Sequence, residues 1–219
     1  MRVAILVYGR LDGCESHYNN YMETFGDGNQ IDFFASSDDS PFINEFVRIY
    51  KPIAYTNEKI NDYVDYATFP GNPGTNVRNM ACHFINKSRV FFLMEQHTTS
   101  LNLQYDIIIS LRVDLLFHNK FINFEMDPNT IYIPEGSDWL VNAINDQVAI
   151  GSFPVMKIYN NVYKNSIELL KNGLTIPHPE TLTRCNLLHN NVIIKRISFI
   201  YSFDKPNPIE PGKINLQFV

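Results

Sequence analysis

Short apolar segments alternate with longer amphipathic segments through most of the chain. Short runs rich in Val, Ile, Phe and Tyr are typical of strands, whereas apolar positions three and four apart are typical of helices. The runs predict strands at residues 2–8, 31–35, 52–56, 105–117, 131–133 and 192–203. The spaced patterns predict helices at residues 14–25, 41–50, 76–97 and 154–171, and one more from residue 179. This alternation predicts an α/β fold whose mainly parallel, twisted sheet is flanked by helices.

A turn with two glycines, Gly9 and Gly13, directly follows the first predicted strand. Glycine lets the backbone approach a ligand closely, and the next predicted helix can present its N-terminus there. The spacing matches neither the dinucleotide-binding glycine pattern nor the ATP-binding phosphate loop. A ligand-binding turn and an ordinary strand-to-helix connection therefore both stay open.

The predicted strand at residues 105–117 carries two charges, Arg112 and Asp114, in an otherwise apolar segment. Residues two apart on a strand point the same way, so these side chains are expected to face one site. A buried charge needs a partner, which can be the other residue of the pair or a bound ligand. Ligands of open α/β sheets bind at the carboxyl ends of the strands, so both explanations stay open.

Two further acidic residues, Asp138 and Asp146, lie next to short apolar segments. Asp138 stands beside the only tryptophan, Trp139, and Asp146 precedes Gln147 and another apolar run. Together with Asp114 they are expected to line the carboxyl edge of the sheet. His178, ahead of the last predicted helix, is interpreted either as a metal or phosphate ligand or as a residue that caps the helix.

Charge and cysteine content exclude several classes of protein. The 219 residues carry a net charge of -5 with a pI near 5.6, and no basic stripe is present, so we expect no nucleic-acid partner. The three cysteines are far apart and match neither a disulfide framework nor a zinc site, so we expect them to be reduced. No apolar run approaches the roughly 20 residues of a membrane span, so we expect no membrane span and a cytoplasmic location.

Four short motifs resemble a known family. They are Tyr105-Asp106, Arg112-x-Asp114-Leu115, the run from Asn145-Asp146-Gln147 to Gly151-Ser152, and His178-Pro179-Glu180. Their layout resembles small GT-A type glycosyltransferases of bacteria and large DNA viruses, in particular the N-terminal transferase domain of chlorella-virus glycan-synthesis proteins. The resemblance covers nearly the whole chain. It departs from the family's Asp-x-Asp signature, because Arg112 stands where the first aspartate is expected.

The resemblance implies a single GT-A (Rossmann-like) domain that transfers a hexose or deoxyhexose from a UDP-sugar to a glycan or glycoprotein acceptor. It implies Mn²⁺ or Mg²⁺ at the donor diphosphate, and a location in the host cytoplasm if the protein is viral. The roles that it implies are nucleotide binding by Tyr8, Gly9, Arg10, Ser36 and Arg78, metal binding by Asp114 and His178, charge stabilisation by Arg112, sugar orientation or proton removal by Asp146, and acceptor binding by Asp138 and Trp139.

The predicted domain spans residues 1–203, followed by a proline-punctuated tail or linker at residues 204–219 that can lead to further domains. A non-catalytic module that binds a nucleotide-sugar or a carbohydrate on the same fold is the main alternative, because a fold does not dictate activity. A sugar-nucleotide pyrophosphorylase is a weaker alternative, because the first loop lacks a longer glycine and arginine run.

Overall fold

The structure, a computed structural model, describes residues 1–71, 74–122, 125–136, 138 and 142–204. Its strands in chain order are β1 (Arg2–Tyr8), β2 (Gln30–Ser36), β3 (Ala54–Thr56), β4 (Ile107–Arg112), β5 (Leu115–Phe117), β6 (Thr130–Pro134), β7 (Val148–Gly151), β8 (Ile193–Ile197) and β9 (Tyr201–Phe203). Its helices are α1 (Cys14–Phe25), α2 (Ile43–Tyr50), α3 (Val77–Leu101), α4 (Phe153–Asn160), α5 (Val162–Lys171) and α6 (Pro179–His189).

Seven strands form one mixed sheet in the order β3, β2, β1, β4, β7, β6, β8. Strands β3, β2, β1 and β4 are parallel neighbours, β7 is antiparallel to both β4 and β6, and β8 is parallel to β6. Within this sheet β7 alone is therefore reversed. The predicted α/β class and mostly parallel sheet are confirmed, and β3 and β8 lie at the two edges of the sheet.

Helices cover both faces of the sheet, which explains why β1 is apolar at nearly every position. Odd-numbered side chains such as Ile5 pack with Tyr21 of α1 and Phe46 of α2. Even-numbered side chains such as Leu6 pack on the other face with Phe91 of α3. Each face of the sheet thus has its own core, and the carboxyl ends of β1, β2 and β4 meet at one edge between the two helical layers.

The prediction of one strand over residues 105–117 is wrong. Strand β4 ends at Arg112, a turn at Val113 and Asp114 follows, and β5 pairs with β9 in a separate two-stranded sheet. The backbone N–H of Val113 donates to the carbonyl of Tyr8 at 3.2 Å, so the chain bends across the end of β1 instead of continuing along it. The predicted strand at residues 192–203 is likewise divided, into β8, which pairs with β6, and β9, which pairs with β5.

The predicted helix at residues 154–171 is also divided, into α4 and α5. Asn160 lies at the break and is fully buried. Its side-chain amide donates to the carbonyl of Met156 at 2.8 Å, and its side-chain oxygen accepts from Ser110 at 2.8 Å. These local hydrogen bonds compete with those of a continuous helix. The spacing of apolar residues does not reveal them, so it predicted a single helix.

The helices with strong end signals agree best with prediction. Helix α1 has the predicted bounds, and α6 begins at Pro179, which suits a first helical position. Asn76 caps α3 by accepting a hydrogen bond from the N–H of Asn79 at 3.0 Å. In the part of the chain that the structure describes, no helix is long and apolar enough to cross a membrane. Of the predicted tail at residues 204–219, residues 205–219 lie outside the described residues, so the domain boundary stays a prediction.

Candidate functional site

A cleft of about 670 Å³ opens at the carboxyl ends of β1, β2 and β4, where α3 provides one wall. Ligands of open α/β sheets bind at this edge. The loops after the three strands bring carboxylates and guanidinium groups to the cleft, and α3 adds amide, thiol and imidazole groups. Six of the predicted site residues line it, namely Tyr8, Gly9, Arg10, Arg78, Arg112 and Asp114.

The turn after β1 forms the floor of the cleft. Gly9 has a φ of 124°, a conformation that other residues rarely adopt, so glycine is required here for its backbone. Its N–H donates to the carbonyl of Ser36 at 3.1 Å, and the Ser36 hydroxyl donates to Asn86 Oδ1 at 2.7 Å. Ser36 is fully buried and does not line the cleft. It therefore holds the floor to α3, and its predicted contact with a nucleotide stays a prediction.

Three arginines line the cleft, and each contacts an aspartate. Arg112 Nε and Nη2 donate to the two carboxylate oxygens of Asp114 at 3.0 and 2.6 Å. Arg78 Nη2 lies 2.8 Å from Asp38 Oδ2, and Arg10 approaches Asp12 at 4.0 Å. The sequence left open whether Arg112 and Asp114 form an ion pair or contact a ligand. Because the pair lies on the cleft wall, the two explanations are compatible.

The described lining of the cleft carries more negative than positive charge. Burial lowers the pKa of both His17 and His83, which favours their neutral forms. The remaining charges are five aspartates against three arginines, a net charge of about minus two by this count. The aspartates are Asp12, Asp38, Asp39, Asp114 and Asp204, and the arginines are Arg10, Arg78 and Arg112. An anionic ligand entering the cleft alone would be repelled.

Asp146 lies behind the cleft wall and does not line the cleft. His83 Nε2 lies 3.1 Å from Asp146 Oδ2, without hydrogen-bond geometry, while the His83 ring lines the cleft. Burial raises the pKa of Asp146, but the interaction with His83 and the positive charges of Lys87 and Arg112 outweigh this effect and lower the pKa to about 2. Asp146 is therefore an ionised carboxylate, and the His83 ring lies between it and the cleft. Its predicted direct contact with a sugar stays a prediction.

Lys87 is the most unusual residue of this region. Its side chain is fully buried, its Nζ has no hydrogen-bond partner, and it lies 3.5 Å from the centroid of the Tyr159 ring. Burial lowers the pKa of Lys87 from 10.5 to about 7, although the negative charge of Asp146 acts in the opposite direction. A lysine in this environment is a costly feature for a protein to hold in its core.

His178 and Asp138 are not brought to the cleft. His178 is buried, and burial lowers its pKa while the negative charge of Asp146 raises it. Asp138 Oδ2 pairs with Arg196 at 2.8 Å, and Asp138 Oδ1 accepts from the N–H of Asn145 at 2.6 Å. Trp139 lies outside the described residues. Metal binding by His178 and acceptor binding by Asp138 and Trp139 stay predictions.

The sequence did not point to His83, Asn86 and Lys87, three polar residues of α3 of which the first two line the cleft and the third is buried. Their spacing of three and four places them on one helical face, beside the apolar stripe that was used to predict the helix. A buried lysine next to that stripe could not be distinguished from a solvated one. His17 and Asp204 were also missed, although their side chains approach to 3.5 Å at the cleft.

Asp114 offers the simplest position for a metal ion. An ionised carboxylate has about four acceptor sites, so it can keep Arg112 and still bind a cation. Mg²⁺ and Mn²⁺ often take only one or two protein carboxylates and complete their shell with water and ligand oxygens. Among the residues that the structure describes, no three His, Cys, Asp or Glu side chains form a ligand set.

Comparison of the chain with protein-family models and with curated proteins found no match in either search.

Proposed function

We propose that the chain is a nucleotide-sugar glycosyltransferase with a single GT-A (Rossmann-like) domain. It would transfer a hexose or deoxyhexose from a UDP-sugar to a glycan acceptor. The observation that carries this proposal is the cleft at the carboxyl ends of three parallel strands, lined by a glycine turn and by arginine–aspartate pairs. Its volume of about 670 Å³ is in the range of pockets that hold ligands of this size.

Arg112 and Arg78 are the groups that would meet the donor diphosphate. A guanidinium group binds phosphate oxygens in a planar, two-point arrangement, and both arginines are already held in place by an aspartate. Negative charge develops on the diphosphate as the sugar leaves, so cations fixed beforehand stabilise the transition state more than the bound donor.

The excess of aspartates supports a divalent cation as part of the donor complex. A diphosphate brings further negative charge into a cleft that already carries a net negative charge. Asp114 fits such a cation by the chemistry of its carboxylate, and the cation would neutralise the leaving diphosphate. Arg112 then orients Asp114 and contributes a second positive charge at the same phosphates.

A donor panel tests the proposal. The protein is incubated with UDP-, GDP- and dTDP-sugars and glycan acceptors, with Mn²⁺ or with EDTA, and free nucleotide is measured. We expect release from a UDP-sugar that stops on chelation and in the Asp114→Asn variant. The matched control is Glu95→Gln, which breaks the 2.6 Å ion pair of Glu95 and Lys157 outside the cleft. Tight UDP binding without turnover would identify a non-catalytic binding module, and the absence of both would refute the proposal.

A further inference from the structure

His83 separates the cleft from a buried carboxylate. Its Nε2 is enclosed and faces Asp146 Oδ2 at 3.1 Å, which leaves Nδ1 as the ring nitrogen for a ligand in the cleft. The ring also packs edge-on against Tyr8, with 5.2 Å between the ring centroids. The imidazole therefore has one side against protein and one side at the cleft.

Asp146 is held in place from several directions. Its backbone carbonyl accepts hydrogen bonds from the hydroxyls of Tyr8 at 3.0 Å and Tyr159 at 2.7 Å. Its side chain is only 8 % exposed, and the enclosed Lys87 ammonium contributes an attractive charge. A carboxylate fixed in this way, behind the cleft lining, can orient the imidazole in front of it and stabilise its protonated form.

We propose that the His83–Asp146 pair is the acid–base centre of the cleft, with His83 as the catalytic residue that removes a proton from the acceptor hydroxyl and Asp146 as its positioning residue. This inference rests on the proposed transferase function. It assigns the proton removal to a residue of α3 and gives Asp146 an indirect role.

The step is a single displacement. The acceptor oxygen forms a bond to the anomeric carbon while its proton passes to Nδ1 of His83. The bond from the anomeric carbon to the diphosphate oxygen breaks, and its electron pair leaves on the nucleoside diphosphate. The imidazolium then releases its proton to water, which restores the free base. One displacement inverts the configuration of the anomeric carbon.

The charges around His83 suit this step. Burial lowers the pKa of His83, so the ring is a free base near neutral pH, and the Asp146 charge favours its protonation when a proton arrives. Lys87 and Arg112 act in the opposite direction. Burial raises the pKa of Tyr8 well above its usual value, so Tyr8 stays neutral and does not compete for the proton.

The first test is the His83→Gln variant, compared with the wild type and with His97→Gln. His97 lies on the same helix but packs against Phe34 outside the cleft, so its removal is a matched control. We expect His83→Gln to lose transfer by about 10²- to 10⁴-fold in kcat. Binding of UDP with Mn²⁺, measured by calorimetry, should be unchanged in both variants, and His97→Gln should keep its kcat.

The second test is the pH profile of kcat in wild type and in Asp146→Asn. Wild-type kcat should fall at low pH as His83 becomes protonated. Loss of the Asp146 charge lowers the pKa of His83, so this fall should move to lower pH in the variant while the plateau also drops. A purely structural role of Asp146 would lower kcat without moving the profile, and that result would overturn its positioning role.

The outcomes separate this inference from the function on which it rests. If His83→Gln transfers sugar at the wild-type rate, the acid–base assignment is overturned and the transferase stands. If the wild type releases nucleotide from no donor, both are overturned. Melting temperatures of all variants identify any loss of activity that comes from unfolding.

Discussion

The Arg112–Asp114 pair on the cleft wall and the His83–Asp146 pair behind it differ in burial. Arg112 and Asp114 are 36 and 33 % exposed and contact each other through two hydrogen bonds, whereas His83 and Asp146 are 16 and 8 % exposed. Water and salt screen the first pair, so little free energy holds it together and a ligand can share its charges. In the second pair the Asp146 carboxylate is enclosed, so loss of its partner His83 would leave a charge in the protein interior. Similar residue types therefore form an adaptable contact on the wall and a fixed one behind it.

The largest effect on stability is expected from breaking the buried pair. Asp146→Asn removes the carboxylate that compensates Lys87 and should lower the free energy of unfolding by about 3 kcal/mol. This value lies at the lower end for buried charges, because Lys87, with a pKa of about 7, can release its proton. Urea denaturation at pH 7 measures the change, with the exposed Asp27→Asn as control. Equal stability of the two variants would show that Asp146 is not needed to compensate Lys87.

A smaller effect is expected from pH, through Lys87. Burial holds its pKa at about 7 in the folded protein, below the ordinary value of 10.5. Between these pH values the unfolded state binds more protons, so this lysine makes folding more favourable as pH rises. The contribution is at most about 1.4 kcal/mol per pH unit. Urea denaturation at pH 7, 8 and 9 should therefore show the wild type gaining stability relative to Lys87→Met.

Parallel pH dependences of wild type and Lys87→Met would contradict the low pKa of Lys87. A matched control is Lys157→Met, because Lys157 of α4 is half-exposed and pairs with Glu95, which lies on α3 as Lys87 does. The stability of that variant should follow the wild type throughout the pH range.

The smallest effect on stability is expected from the exposed pair. Asp114→Asn should change the free energy of unfolding by less than about 1 kcal/mol. The same variant should nevertheless weaken binding of UDP with Mn²⁺, because it removes the carboxylate proposed to hold the cation. Denaturation and calorimetry on one preparation measure both quantities. If Asp114→Asn were strongly destabilised and kept its affinity for UDP, the proposed difference between the two pairs would be wrong.

Local signals in the sequence predicted much of the fold. The glycine turn, the cap at Asn76 and Pro179 define the beginnings of α1, α3 and α6, because each acts within a few residues of the helix that it begins. The division of residues 105–117 depended on contacts with Tyr8 and with β9, which are far away in sequence. Periodicity contains no information on such contacts.

The residues of the candidate site likewise include some that local sequence signals predicted and some that depend on distant contacts. Gly9, Arg112 and Asp114 were predicted to be part of it because each was placed near the carboxyl end of a strand, where ligands of open α/β sheets bind. His83 was missed because its importance comes from Asp146, 63 positions later by their residue numbers. Only the packing of α3 against the sheet brings these two side chains together.

The excess of aspartates around the cleft also affects how fast a ligand arrives. Free UDP approaches a surface that repels it, so its association rate constant should increase when salt screens that repulsion. UDP that already carries Mn²⁺ is closer to neutral, and its association should depend less on ionic strength. The order of encounter would then be set by charge, with nucleotide and metal combining in solution before they reach the protein.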